Sequence, residues 1–511
     1  MQINPITRTD YPDPDVIRVE DTYYMISTTM HFYPGGVILR SYDLIHWEIA
    51  GYVYDKLDST PEQKLEGEKN SYGHGMWAAS LRFHNGRFYA CFGALETQKT
   101  YIYSAEEVEG PWEKQVLEGY YHDSSLLFDE DGRVYLVYGN REIKLVELEQ
   151  DLSAIKADGF KRTLAVDQDD VILGYEGSHL YRIRGKYYLF MIHWPRYGAR
   201  RRTEVCLVSD SLKGEFTGGT VLDDDMGYWN QGVAQGGIVE ATDGSWYSVM
   251  FRDSGAVGRV PVLVPISWKD DFPVYGEDGK VPKEFTTPDS RPGYCYEPLY
   301  TSDDFRYTAD EKGHCSLKKQ WQWNHEPDSE MWSICPEGGL RIRTGKICTN
   351  LTQAVNTLTQ RMMWPECSAE VLVDASDIKE GDFAGLCALQ GCYAMAGITR
   401  QEGRYTLVMM AREPEEGADS DYLPNFISQE VEIQQPVVRF KASANFADMQ
   451  DEVEFFYEDA GQWKKLGKKH RLYFKLDHFT GCRFGLYCYA MQETGGSAVF
   501  KNFTYRYNSK E

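Results

Sequence analysis

Asp13, Asp123 and Glu176 are three carboxyl residues at matching places in a pattern that occurs five times. The pattern is a short hairpin: an apolar strand, a polar or glycine turn, then a strand opening on paired large side chains. Its copies end at Tyr23-Tyr24, Phe88-Tyr89, Val134-Tyr135, Tyr187-Tyr188 and Trp246-Tyr247. The residue 11 before Tyr24 is Asp13, and those 12 before the other four final aromatics are Trp77, Asp123, Glu176 and Gln235. If the repeats are equivalent units set radially, three carboxyls, an indole and an amide ring one axis. Glycosidic bond hydrolysis is the aqueous chemistry that typically uses paired carboxyls without a cofactor. One carboxyl must hold a proton for the leaving oxygen, and another must be ionised to activate water or attack carbon. Both residue types start near pKa ~4, so the acid needs burial or a negative neighbour. A third carboxylate supplies that neighbour.

The flanking residues suggest roles. Tyr11-Pro12-Asp13-Pro14-Asp15 places a proline on each side of Asp13, which stiffens its backbone. A short side chain on a stiff backbone suits a base that leaves room for water. Glu176, in Gly174-Tyr175-Glu176-Gly177-Ser178-His179, has the longer arm to reach a leaving group. Asp123, in His122-Asp123-Ser124-Ser125, belongs to the unit between those of Trp77 and Glu176, placed to tune Glu176 and hold a hydroxyl.

The elements that must position these groups read as strands. Residues 10–276 carry strand and turn signals and no convincing amphipathic helix. A second feature recurs three times, in Ser41 through Trp47, Ser104 through Trp112 and Ser209 through Phe216: a strand ends in Ser, a polar turn follows, and an aromatic opens the next strand. Each unit therefore holds about four strands. The spacings of the final aromatics are 65, 46, 53 and 59 residues, the period of propeller blades. A meandering β-sandwich is the other arrangement of such strands, but five hairpins in phase favour the propeller. Residues 277–300, with Pro282, Pro288, Pro292 and Pro298, read as a linker. Beyond Asp303 the repeat vanishes and period-2 segments such as Glu370-Val371-Leu372-Val373 take over, as in an antiparallel two-sheet sandwich. The expected organisation is all-β, with a five-bladed β-propeller over residues 1–290 and a β-sandwich over 303–511.

Composition narrows the partners. Two domains suit 511 residues, and an aromatic content of 14% suits β-structure and sugar stacking. A net charge of -24 argues against nucleic acid and anionic membranes. No stretch reaches the roughly 18 to 20 apolar residues of a membrane span, and the start carries no apolar run, so a cytoplasmic location is expected. No cysteine pair has CxxC spacing, which points to buried reduced thiols rather than a zinc site or disulfide framework.

At these residues the chain resembles glycoside hydrolase family 43, five-bladed propellers that act as β-xylosidases, α-L-arabinofuranosidases and arabinanases. The match runs through Asn4-Pro5-Ile6, Tyr11 to Asp15, Tyr33-Pro34-Gly35, His122 to Leu126 and Tyr175 to Tyr181. The resemblance implies inversion by an Asp base, a Glu acid and an acid-tuning Asp, which fall on Asp13, Glu176 and Asp123. Base and acid would then stand about 6.5–9.5 Å apart. Residues 303–508, with Trp321-Gln322-Trp323-Asn324-His325, look like the family's concanavalin-like accessory sandwich. In such members a loop from it narrows the active-site mouth, favouring release of terminal sugars. Gly255-Ala256-Val257-Gly258-Arg259 looks like the segment bearing the substrate-binding arginine, Arg259. Trp77 would pack on a sugar face, and Phe32 would add to the pocket wall. Many members bind a central calcium through a fifth-blade His; here Gln235 takes that ring position. No cofactor is required by the chemistry, and the missing His counts against a structural calcium.

The resulting expectation is an inverting exo-glycosidase acting on arabinoxylan or xylo-oligosaccharides, with α-L-arabinofuranoside favoured over β-D-xyloside because the Gln235 and Arg259 segments look like those of arabinofuranosidases. A non-catalytic sugar-binding propeller would keep Arg259 and the aromatics without needing all three carboxyls. A retaining fructan- or sucrose-cleaving propeller would need an Asn-Asp-Pro-Asn-type segment, which the start lacks.

Overall fold

The computed structural model describes residues 3–308, 315–415, 420 and 423–508. Five four-stranded antiparallel sheets follow one another along the chain, each containing one copy of the hairpin. Their innermost strands are Asp15–Val19, Met76–His84, Ser125–Phe128, Val171–Ile183 and Val233–Glu240, in blades 1 to 5. Local chemistry sets the hairpins. At Asn85-Gly86 and Arg184-Gly185 both turn residues have positive φ (49° and 80°, 51° and 81°), the twist that matches paired strands.

Alternation along each strand then feeds two interfaces. In blade 4, Leu189 and Met191 pack towards blade 3 against Val137 and Leu145. The intervening Tyr188 and Phe190 pack towards blade 5 against Val262 and Val264. Similar apolar layers lie between blades 1 and 2 (Ile38, Phe92), 2 and 3 (Ile102, Leu136), and 5 and 1 (Leu263, Leu39). Ring closure uses the start of the chain: Ile6 N–H donates to Pro261 O and Tyr11 N–H to Arg259 O, each at 3.0 Å. Cys91 and Cys206 are buried packing residues of these layers.

The segment after Tyr275 runs back over blade 1 instead of hanging free. Tyr294 OH donates to Glu48 at 2.7 Å and Ser290 Oγ to Asp21 O at 2.6 Å. The second unit is a two-sheet antiparallel sandwich with a continuous core including Val371, Leu386, Phe440 and Phe484. Its eight-stranded sheet has an edge strand supplied by the propeller: Phe32–Tyr33 pairs with Gln322–Asn324. Arg361 Nε donates to Asp10 O at 2.8 Å, and Arg483 stacks on the Phe32 ring at 3.4 Å. The two units are thus joined by sheet and by buried polar contacts beside the start of the chain.

Candidate active site

The five ring positions converge because the backbone is bent there. Asp13, Asp123 and Gln235 all have left-handed φ (52°, 47° and 56°), a region that costs energy for residues other than glycine and is typical of functional sites. Register shifts interrupt the inner strands at Met76/Ala79, on both sides of Glu176, and at Ala234/Gly236. Such bulges re-aim a side chain out of the strand's alternation. One cavity of about 570 Å³ results, lined by all five residues and by Arg259.

Asp13 is held from two sides. Arg259 Nη1 donates to its Oδ1 and Thr28 Oγ1 to its Oδ2, both at 2.7 Å. Burial raises its pKa above the ordinary carboxylate value despite those two partners. Arg259 lies between the rings of Phe479 (4.2 Å) and Phe251 (5.2 Å). Its Nε and Nη2 are buried and make no hydrogen bond within the protein, so three N–H bonds have no protein acceptor. Asp10 fixes the backbone here, accepting from Arg259 N–H at 2.8 Å and from Gly481 N–H at 2.9 Å.

Glu176 receives two contacts on the same oxygen, Oε2: from the Asn140 side-chain amide and from His122 Nε2 at 3.0 Å. His122 also stands 3.6 Å from Asp123 and 3.1 Å from Tyr120 OH. Burial opposes charge on His122, but the Asp123 and Glu176 carboxylates outweigh it and lift the imidazole to about 9. Asp123 accepts from Gly177 N–H at 3.0 Å. Burial pushes it up to about 7, with Glu176 and Asp13 adding repulsion and His122 opposing.

That shift has a consequence for stability. A folded-state pKa above the unfolded value of about 4 means the native protein holds the proton more tightly. The stability cost of the ionised carboxyl therefore grows as pH rises from about 4 and is complete above about 7. Asp123→Asn keeps an acceptor for Gly177 and removes the first of the carboxylates that lift His122, so the His122 ring should titrate at lower pH than in the parent by proton NMR. An unmoved His122 titration would rule this out.

The wall facing Asp13, Asp123 and Glu176 is largely apolar and comes partly from the sandwich. Phe474, Lys475, Leu476 and Phe479 reach in from the segment between strands Gln462–Arg471 and Arg483–Ala490. The Phe479 ring sits 5.5 Å from that of Trp77. Ile172, Leu173, Trp194 and the ion pair Arg202–Asp253 complete the lining. Burial and the nearby Arg259 pull Arg202 down to about 10.

Phe32 is not part of this cavity, contrary to the expectation from sequence. It is 1% exposed and packs with Leu351, Tyr393 and Met395 of the sandwich, because its strand completes that domain's sheet. His122 and Asn140 were not singled out from sequence. The first is adjacent to a ring carboxyl, a usable signal; the second follows a blade-3 strand and reaches Glu176 only across the blade boundary.

The carboxylate enclosed by the inner strands is not free for a calcium. Below the cavity the inner strands enclose Asp15, fully buried. Its Oδ2 accepts from Arg82 Nη1 at 2.6 Å and Leu81 N–H at 2.8 Å, and its Oδ1 from Tyr181 OH at 3.3 Å. Calcium takes six to eight oxygen ligands; this carboxylate is neutralised by a fixed guanidinium.

Comparison with known proteins bears on the fold and the family. Residues 3–273 match the model of glycosyl hydrolases family 43, and residues 311–506 match that of the β-xylosidase C-terminal concanavalin A-like domain. The chain is 27% identical over 561 residues to a β-xylosidase of Formosa agariphila, covering 99% of this chain and 90% of the relative. It is 26% identical over 404 residues to a non-reducing end α-L-arabinofuranosidase of Bacteroides ovatus, covering 75% and 72%. Among solved structures, a bifunctional GH43-CE protein of Bacteroides eggerthii superposes with TM-score 0.90 at 41% identity; the match covers 99% of this chain but 63% of that one. An engineered family 43 enzyme displaying both endo-xylanase and exo-arabinofuranosidase activity superposes with TM-score 0.87 at 26% identity, covering 99% of both. The propeller, the ring of carboxyls and a family match spanning more than half of the residues lead to one conclusion: the chain belongs to glycosyl hydrolase family 43.

Proposed function

We propose that this hydrolase removes terminal α-L-arabinofuranose and β-D-xylose from arabinoxylan and xylo-oligosaccharides, with inversion and without a metal in the chemical step. The observation that carries the reading is the single cavity in which Asp13, Asp123, Glu176 and Arg259 face an apolar wall closed by the sandwich. Asp13 accepts a proton from water as the water oxygen bonds to the anomeric carbon. Glu176 gives its proton to the departing glycosidic oxygen as the carbon–oxygen bond breaks. With both contacts of Glu176 on Oε2, Oε1 is left to carry that proton. Asp123, across His122 from Glu176, holds the Gly177 backbone beside the acid, and the N–H groups of Arg259 that lack a protein partner bind hydroxyls of the terminal sugar. Trp77 and Phe479 offer ring faces for the sugar's C–H surface. The wall formed by residues 474–479 supports an exo-acting preference, since a chain continuing on both sides of the cleaved unit would run into it.

Incubation with aryl α-L-arabinofuranoside, aryl β-D-xyloside and arabinoxylo-oligosaccharides tests the reading. Free arabinose and xylose should accumulate from the outset, and proton NMR should show the opposite anomer forming first. Internal cleavage products without monosaccharide, or first appearance of the retained anomer, would overturn it.

A further inference from the structure

Behind the strand that carries Glu176 lies a second convergence of ligand-type side chains. His193 belongs to strand Lys186–Pro195 of blade 4. Its neighbours Ile192 and Trp194 line the cavity, so alternation sends His193 to the opposite side. There it is 3% exposed, with its ring 5.0 Å from that of Tyr175. Its Nε2 is buried and makes no hydrogen bond, yet stands 3.4 Å from Asp167 Oδ2 and 4.0 Å from Asp169 Oδ2. Both aspartates sit in the crossing from strand Lys161–Val166 of blade 3 to Val171–Ile183 of blade 4. Asp167 is buried and accepts from Asp169 N–H at 3.0 Å and Tyr175 N–H at 3.3 Å. Asp169 is half-exposed and accepts from Tyr197 OH at 2.7 Å.

We infer that Asp167, Asp169 and His193 form a binding site for a divalent first-row transition ion, with Zn²⁺ as the best-matched occupant. One nitrogen and two carboxylate oxygens lie within 4.8 Å of one another. Zinc bonds of about 2.1 Å imply tetrahedral edges of about 3.4 Å, against 3.4 and 4.0 Å here. The imidazole donor argues against magnesium and calcium, which prefer all-oxygen sets. Half-exposure of Asp169 leaves a fourth position open to water. The site is structural. Asp167 holds the backbone of Tyr175, the residue before Glu176, so a bound ion ties the blade 3–4 crossing to the strand bearing the proposed acid.

The test uses the full-length protein, stripped with a chelator and titrated with ZnCl₂ by calorimetry, with bound metal counted by mass spectrometry. The parent should bind one Zn²⁺ per chain and melt at higher temperature with it. Asp169→Asn, at a half-exposed position, should fold normally by circular dichroism and lose affinity on the order of 10-fold or more, as should His193→Ala. Glu176→Gln should bind like the parent, which separates this site from the His122–Asp123–Glu176 group. No Zn²⁺ uptake by the parent, uptake unchanged in Asp169→Asn, or uptake lost only in Glu176→Gln would overturn the assignment.

Discussion

Glu176→Gln should hydrolyse xylo-oligosaccharides on the order of 10²-fold or more slowly than the parent, yet lose far less on an aryl glycoside with an acidic phenol. The asymmetry follows from the acid's task. A sugar alkoxide cannot leave without a proton, whereas a nitrophenolate can. Glutamine keeps the carbonyl that accepts from Asn140 and His122, so the fold and the binding of sugar should survive. Asp13→Asn removes the opposite function. Water must still be deprotonated whatever the leaving group, so that variant should lose both substrates equally. Steady-state kinetics of the two variants on the two substrate types form a four-way comparison. If Glu176→Gln fails equally on both, or Asp13→Asn is spared on the aryl substrate, the acid and base roles are misassigned.

Arg259→Ala should lower kcat/KM by on the order of 10²- to 10³-fold, because one guanidinium serves two purposes. It donates to Asp13 Oδ1 at 2.7 Å with both side chains almost wholly buried, and its Nε and Nη2, without a partner in the protein, are the groups proposed to meet the substrate. Removing one member of a buried ion pair leaves an uncompensated charge worth about 3–5 kcal/mol. Asp13 is already raised by burial, with Arg259 pulling the other way. Without Arg259 its pKa rises further, and the base is protonated at pH values where the parent is ionised. The acidic limb of the kcat profile should therefore move to higher pH, with activity partly recovered as pH increases. Arg259→Lys restores the charge without the fork of donors, so it should return the limb towards the parent while KM stays high. An acidic limb in the same place for parent and Arg259→Ala would show that Arg259 does not control the ionisation of the base.

The hairpins and their phase were legible in the sequence because both are local. Turn residues such as Asn85-Gly86 specify their own backbone, and side chains alternate with a period of two. Residues 11 or 12 positions before the final aromatic of each hairpin reach the same place in each blade, which located Asp13, Trp77, Asp123, Glu176 and Gln235 together. The wall of the cavity was not legible. Phe479 stands opposite Trp77 although 402 residues separate them in the chain, and no periodicity links a sandwich loop to a propeller axis. Phe32 shows the same limit in reverse. An aromatic beside Tyr33-Pro34-Gly35 suits a pocket or a core equally well, and its pairing with Asn324 decides between them. The sequence by itself determined which carboxyls meet, through repetition. Only the tertiary structure decided what surrounds them, because ionisation, counter-charge and the closing wall depend on contacts between blades and between domains, which carry no signature along the chain.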